Sequence, residues 1–242
     1  MKSKILLFYY FILLTVEISA ELLAYYSDNY NLVYFTKPLL MPTLIAWAFL
    51  FAKENNITFN KIIILAVIFS LFGDIALMLL SISPDIFIIG LVCFLVAHII
   101  YIVLFIKIAS KQKSLLISKP YFIIPFIIYA GLLLGFLYQQ NHPEFIKMQI
   151  PVIIYAAVIL TMLLAAVSSY GNILRNNFML LTVGAFLFVL SDTTIALSKF
   201  SPLFEHHQHI ARIIIMSLYG TAQFLIIKGY VSINKNSTIQ TN

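Results

Sequence analysis

The chain has 242 residues, of which 62% are hydrophobic and only 10% charged, with a mean hydropathy of +1.01. That composition excludes an ordinary soluble domain, which needs far more polar surface. The net charge of +6 does not point to nucleic acid, because the 15 basic residues are scattered through connecting segments rather than gathered on one face. The single cysteine, Cys93, excludes an internal disulfide and a cysteine-built zinc site.

A membrane span needs about 20 mostly apolar residues. Lys2 and Lys4 precede the first candidate, residues 5–25. Within it Ile18-Ser19-Ala20 has the character of a leader cleavage site. Glu17 and Glu21 argue for a retained helix instead, because a four-residue spacing puts both on one face, suited to a polar interior. Seven further segments qualify: 33–52, 62–81, 85–106, 120–138, 149–169, 177–197 and 209–230. The intervening loops are short. The expected fold is therefore all-α: a polytopic integral membrane protein of eight transmembrane helices forming one membrane domain over residues 1–242.

Basic residues set the orientation. Eleven fall on one side: Lys2, Lys4, Lys53, Lys61, Lys107, Lys111, Lys113, Lys119, Arg175, Lys228 and Lys235. Two, Lys147 and Lys199, fall on the other. Both termini are thus expected in the cytoplasm. Abundant Ile, Lys and Asn hint at an AT-rich bacterial genome, and so at a bacterial plasma membrane.

Four of the nine acids lie inside spans: Glu17, Glu21, Asp74 and Asp192. Lys37, His98 and Arg212 join them. Each charge in hydrocarbon costs at least about 2.5–3.5 kcal/mol on insertion scales and normally faces a bundle interior with a partner. Helix rise places the four acids roughly 18–24 Å from the cytoplasmic edge, with Lys37 and Arg212 entering from the opposite edge to nearly the same level. His98 comes out deeper, roughly 10 Å from the cytoplasmic edge. Ion pairs that merely tie helices, such as Glu21 with Lys37 or Asp192 with Arg212, are one reading. A functional polar cavity is the stronger one, since small residues associate helices more cheaply.

Lesser signals complete the inventory. Tyr101 shares a helical face with His98, and a buried, satisfied histidine is the simpler reading of that pair. Gln223 suits an interhelical hydrogen bond. Pro38, Pro42, Pro125 and Pro151 lie near span starts, where proline is tolerated. The run Glu205-His206-His207-Gln208-His209 looks metal-binding at first sight, but consecutive loop histidines seldom make a site, and no ligand set has convincing spacing. No cofactor is indicated. Asp74 precedes Ser83-Pro84 by the same interval as Asp192 precedes Ser201-Pro202, although windows 68–84 and 186–202 share only four identities. Two parallel four-helix repeats would make the two aspartates pseudo-symmetric.

Taken in order, Lys37-Pro38, FSLFGDIALMLL on helix 3, AHIIY (97–101), GAFLFVLSD (184–192) and YGTAQFLI (219–226) resemble the YhhN-like family of integral membrane proteins, which includes the lysoplasmalogenases. The resemblance covers nearly the whole chain. It implies a hydrolase of the lysoplasmalogen vinyl ether bond, with a lysophospholipid substrate, the bilayer as its environment, and a fatty aldehyde and a glycerophospho-headgroup as products. The family's two acidic positions carry over to Asp74 and Asp192, and its Lys-Pro to Lys37 and Pro38. Some relatives carry Asn at the second position, so a strict two-acid requirement is not implied.

The residues suit that chemistry. A vinyl ether is cleaved by protonating its β carbon, which leaves an oxocarbenium ion for water to attack. Burial and a neighbouring carboxylate both favour a protonated acid, so Asp74 and Asp192 can hold one proton between them. The ionised partner stabilises the cation, as in glycoside hydrolysis. Lys37 or Arg212 suits a phosphate, with His98, Tyr101 and Glu21 as further substrate-site candidates. Two other classes compete: a proton-coupled transporter using the same buried acids, and a lipid-binding membrane protein. An intramembrane aspartyl protease fits the surrounding residues poorly. Aromatic-rich outer faces are compatible with lipid or with a second copy of the chain.

Overall fold

The computed structural model describes residues 1–81, 83, 86–109 and 120–237. Pro84, Lys111, Lys113 and Lys119 lie outside the described residues, as does the expected start of the fourth span at position 85. Among the described residues there are eight α-helices: α1 (Lys2–Ser27), α2 (Asn31–Glu54), α3 (Ile62–Met78), α4 (Ile86–Ala109), α5 (Ile124–Gln139), α6 (Pro143–Val167), α7 (Arg175–Phe200) and α8 (Gln208–Ser237). Seven helical segments are long and apolar enough to cross a membrane; α3, with 17 residues, is an apolar helix just short of that length. A 3₁₀ turn, Leu79–Ser81, continues it. The protein is an all-α polytopic membrane protein.

Seven of the helices close a ring. Following it round, α1 packs on α2, α2 on α3, α3 on α4, α4 on α6, α6 on α7, α7 on α8, and α8 back on α1. Helix α5 stands outside, against α6 and the edge of α7. Its outward residues Ile124, Ile127, Ile128 and Leu132 are exposed. In lipid such faces need no protein cover, and association rests on close packing instead. Two glycines permit it. A Cβ on Gly73 of α3 would meet the Phe94 ring of α4 at 2.6 Å, and one on Gly184 of α7 would meet Ile226 and the Ala222 carbonyl of α8 at 2.8 and 3.0 Å.

Two local features depart from the expected pattern. Helix α6 begins at Pro143, so Pro151 lies well inside it rather than near its start. Pro38 and Pro42 are likewise interior to α2. The first two turns of α6 carry Glu144, Lys147 and Gln149, which a hydropathy window discounts. Proline is tolerated inside these helices because neighbours can satisfy the freed carbonyls.

Candidate active site

Asp192 projects from α7 into the ring. Its Oδ2 accepts a hydrogen bond from the Tyr155 hydroxyl of α6 and lies 3.2 Å from His98 Nε2 of α4. The same imidazole nitrogen is 3.0 Å from the Tyr155 hydroxyl, so three polar groups from three helices meet at one point. His98 is fully buried, and its Nδ1 has no hydrogen-bond partner. The Phe188 ring, one turn before Asp192, stands edge-on to the imidazole at 4.7 Å and limits its tilt.

Asp74 sits on α3, held from the opposite side of the ring. The Tyr219 hydroxyl of α8 donates to its Oδ2 at 2.7 Å. The charges of Asp192 and Lys37 both act on this carboxyl. Around it the interior is polar but ordered. Tyr101 donates to Gln223 Oε1 at 2.7 Å, and Gln223 Nε2 donates to Ser70 Oγ at 2.8 Å, one turn below Asp74. Glu17 of α1, fully buried, accepts from Thr36, while its Oε1 has no partner. Lys37 also acts on Glu17.

Above these acids a cavity opens at the end of the bundle that carries the α1–α2, α3–α4 and α7–α8 connections. It encloses about 1230 Å³, its open mouth included. Lys37, Lys199 and Arg212 bring three cations to its wall, with Glu21 the acid among them. Glu21 Oε2 is 3.7 Å from the Arg212 guanidinium, which also lies over the Tyr30 ring. Lys199 pairs with Glu144 at 2.7 Å. Below lies an apolar pocket of about 420 Å³ in contact with Asp192 and Tyr155. Leu77, Phe87 and Ile195 border both spaces. A cationic vestibule therefore adjoins a greasy pocket with a carboxyl group on its wall.

Residues 32–230 match the YhhN family. The chain belongs to the YhhN family. Human lysoplasmalogenase TMEM86B is 27% identical to this YhhN protein over 186 residues, which is 77% of the chain and 70% of the human protein. No solved structure matches.

The YhhN chain thus brings most of its singled-out residues into one interior, with some differences of partner. Asp192 pairs with His98, and Arg212 with Glu21, in place of the Asp192–Arg212 and Glu21–Lys37 pairs considered from sequence. His98 is not a deeper, separate residue: helix rise gives Cα levels for upright helices, whereas its ring reaches Asp192. Nor is it satisfied, since Nδ1 is bare. Tyr101 stays out of the aspartate cluster and serves the Gln223 chain. His209 of the loop cluster stacks on Tyr25 at 3.8 Å. Tyr155, Tyr219 and Lys199 escaped sequence reading. Tyr219 opens the YGTAQFLI motif, so its signal was present. Tyr155 is one more aromatic in an apolar run, yet it lies 118 residues after Lys37, the interval that also separates Asp74 from Asp192 and Tyr101 from Tyr219.

Proposed function

We propose that this YhhN protein hydrolyses the vinyl ether bond of a lysoplasmalogen, releasing a fatty aldehyde and a glycerophospho-headgroup. One observation carries the reading: Asp192 lines an apolar pocket beneath a cationic vestibule, with a second carboxyl, Asp74, in electrostatic range. A lysophospholipid has the same order of parts. Its phosphate suits Lys37 and Arg212, its chain suits the apolar pocket, and its ether linkage lies between them. The orientation from basic residues places the vestibule in the outer leaflet, of a bacterial plasma membrane on the composition, with both termini cytoplasmic.

Asp192, facing the pocket, delivers its proton to the β carbon of the double bond. The electron pair of that bond forms the new C–H bond, and positive charge develops on the α carbon and the ether oxygen. Asp74, whose Oδ2 accepts the Tyr219 hydroxyl, is the second carboxyl and stabilises that charge through the shared interior. Water adds to the α carbon and passes a proton to the Asp192 carboxylate, which restores the acid. The hemiacetal then loses its hydroxyl proton as the bond to the glycerol oxygen breaks, and that oxygen takes up a proton. His98 and Tyr155 fix the carboxyl that transfers the proton; Tyr101 acts one layer behind, through Gln223 and Ser70. Glu21 orients Arg212 for the headgroup.

Aldehyde release from 1-alkenyl lysophosphatidylethanolamine by the purified protein in detergent tests the proposal. Release by the parent, and its loss in both Asp74→Asn and Asp192→Asn, is expected. Full activity in both variants refutes the two-carboxyl mechanism. No release by a folded parent refutes hydrolysis of this lysoplasmalogen and points to another lipid substrate or to proton-coupled transport.

A further inference from the structure

The apolar space does not end at Asp192. On its far side the same carboxyl, with Tyr155, Val152 and Ala196, lines a second apolar pocket of about 440 Å³, its open side included. This space belongs to the protein interior. Leu137, Val152, Ile159, Leu160 and Val189 on its wall are at most 8% exposed, so bilayer lipid does not simply coat it. Tyr129, Leu160 and Val189 then border a third space, a groove of about 970 Å³ between α5, α6 and α7 with Phe126, Leu163 and Phe186 on its walls. At the junction the Tyr129 and Thr193 hydroxyls are 2.5 Å apart and tie α5 to α7. Thr182, at the far end of the groove, is ten residues before Asp192, or about 15 Å along α7.

We infer that this path is a channel for one hydrocarbon chain, which enters beside Asp192 and leaves the bundle between α5 and α7. The occupant is the long chain of the glycerophospholipid proposed above, and the inference rests on that reading for the linkage it cleaves. Three features select a chain over other occupants. The path adjoins the pocket at Asp192, sharing Val152, Tyr155 and Ala196 with it as well as that carboxyl, and is nearly free of polar atoms beyond it. Its other end borders the vestibule of Lys37, Lys199 and Arg212 at Leu77, Phe87 and Ile195, so charge and grease are segregated as in a single-chain phospholipid. Its outer wall is α5, the helix that stands outside the ring, which gives the chain a side exit into lipid. The two products therefore part in opposite directions: the headgroup returns through the vestibule, and the aldehyde slides out along the groove.

The test is photolabelling with a non-cleavable 1-O-alkyl lysophosphatidylethanolamine that carries a diazirine at the end of its chain. The parent protein in detergent is irradiated with and without excess unlabelled analogue, and adducts are mapped. Adducts on Phe126, Leu163 or Phe186 that the competitor removes are expected, as is their loss in Ala130→Trp, which fills the middle pocket. Adducts spread over the outer faces of α1, α2 and α4, or insensitive to competitor, overturn the channel. Because binding is read without turnover, saturable labelling of the groove supports the channel even in a preparation that releases no aldehyde. On the cleavable substrate, Ala130→Trp lowers turnover of long chains relative to short ones; an unchanged chain-length profile overturns the channel.

Discussion

Gly184→Ala tests the packing that sets the register of Asp192. Gly184 lies two turns before that residue on α7, where α7 meets α8. A methyl group there would stand 2.8 Å from Ile226 Cγ1, 3.0 Å from the Ala222 carbonyl oxygen and 3.0 Å from the Ile226 amide nitrogen. Carbon contacts are optimal at about 3.5–4.0 Å, so the methyl is roughly 1 Å too close. Two of the three neighbours are backbone, and Ile226 is fully buried, so no side chain can swing away. The helices must part, at the usual overpacking cost of about 1–3 kcal/mol. At roughly 2–4 °C per kcal/mol for a chain of this size, the melting temperature falls by about 2–12 °C. Gly135→Ala on α5 is the control, since nothing lies within 4 Å of its methyl. It should hold or slightly raise the melting temperature, because alanine is the better helix former by up to about 1 kcal/mol. Thermal unfolding in detergent, followed by circular dichroism, compares them. Equal melting temperatures for the two variants would refute the claim that α7 and α8 touch through Gly184.

Other outcomes follow from the same contacts. Tyr155→Phe removes a hydrogen bond to the Asp192 carboxyl, an interaction of about 0.5–1.5 kcal/mol when that acid is neutral, so kcat falls about two- to tenfold while KM changes little. Arg212→Gln leaves the aspartates untouched and raises KM for the lysophospholipid, with the larger effect at low ionic strength because the side chain is 41% exposed and screened by salt. Gln223→Leu strands the fully buried Tyr101 hydroxyl, which lowers stability by about 1–3 kcal/mol in the same melting experiment.

Much of the architecture was legible because lipid enforces it. Only helices satisfy their backbone within hydrocarbon, so apolar runs read directly as helices. The interior acids were equally legible, since Asp74 and Asp192 are conspicuous in runs of Ile, Leu and Phe. What the sequence hid was partnership. The one-dimensional depth of His98 separated it from Asp192, although the two side chains meet. Tyr155 and Tyr219 look like lipid-facing aromatics until the ring closes and turns their hydroxyls inward. The ring itself depends on α5 being left out of it, and hydropathy does not distinguish α5 from its neighbours.

The aspartate bonds have a bearing on biogenesis. Asp74 is fastened to Tyr219 on the last helix, and Asp192 to His98 on the fourth. Each half of the polypeptide thus clasps the other through the acid it contributes. During insertion the first four helices carry a bare carboxyl at the Asp74 level, and its hydroxyl partner arrives only when α8 enters the bilayer. The Asp74 tether is therefore the last part of the centre to form. A nascent chain stalled before Tyr219 would present the membrane with a buried acid lacking its tether.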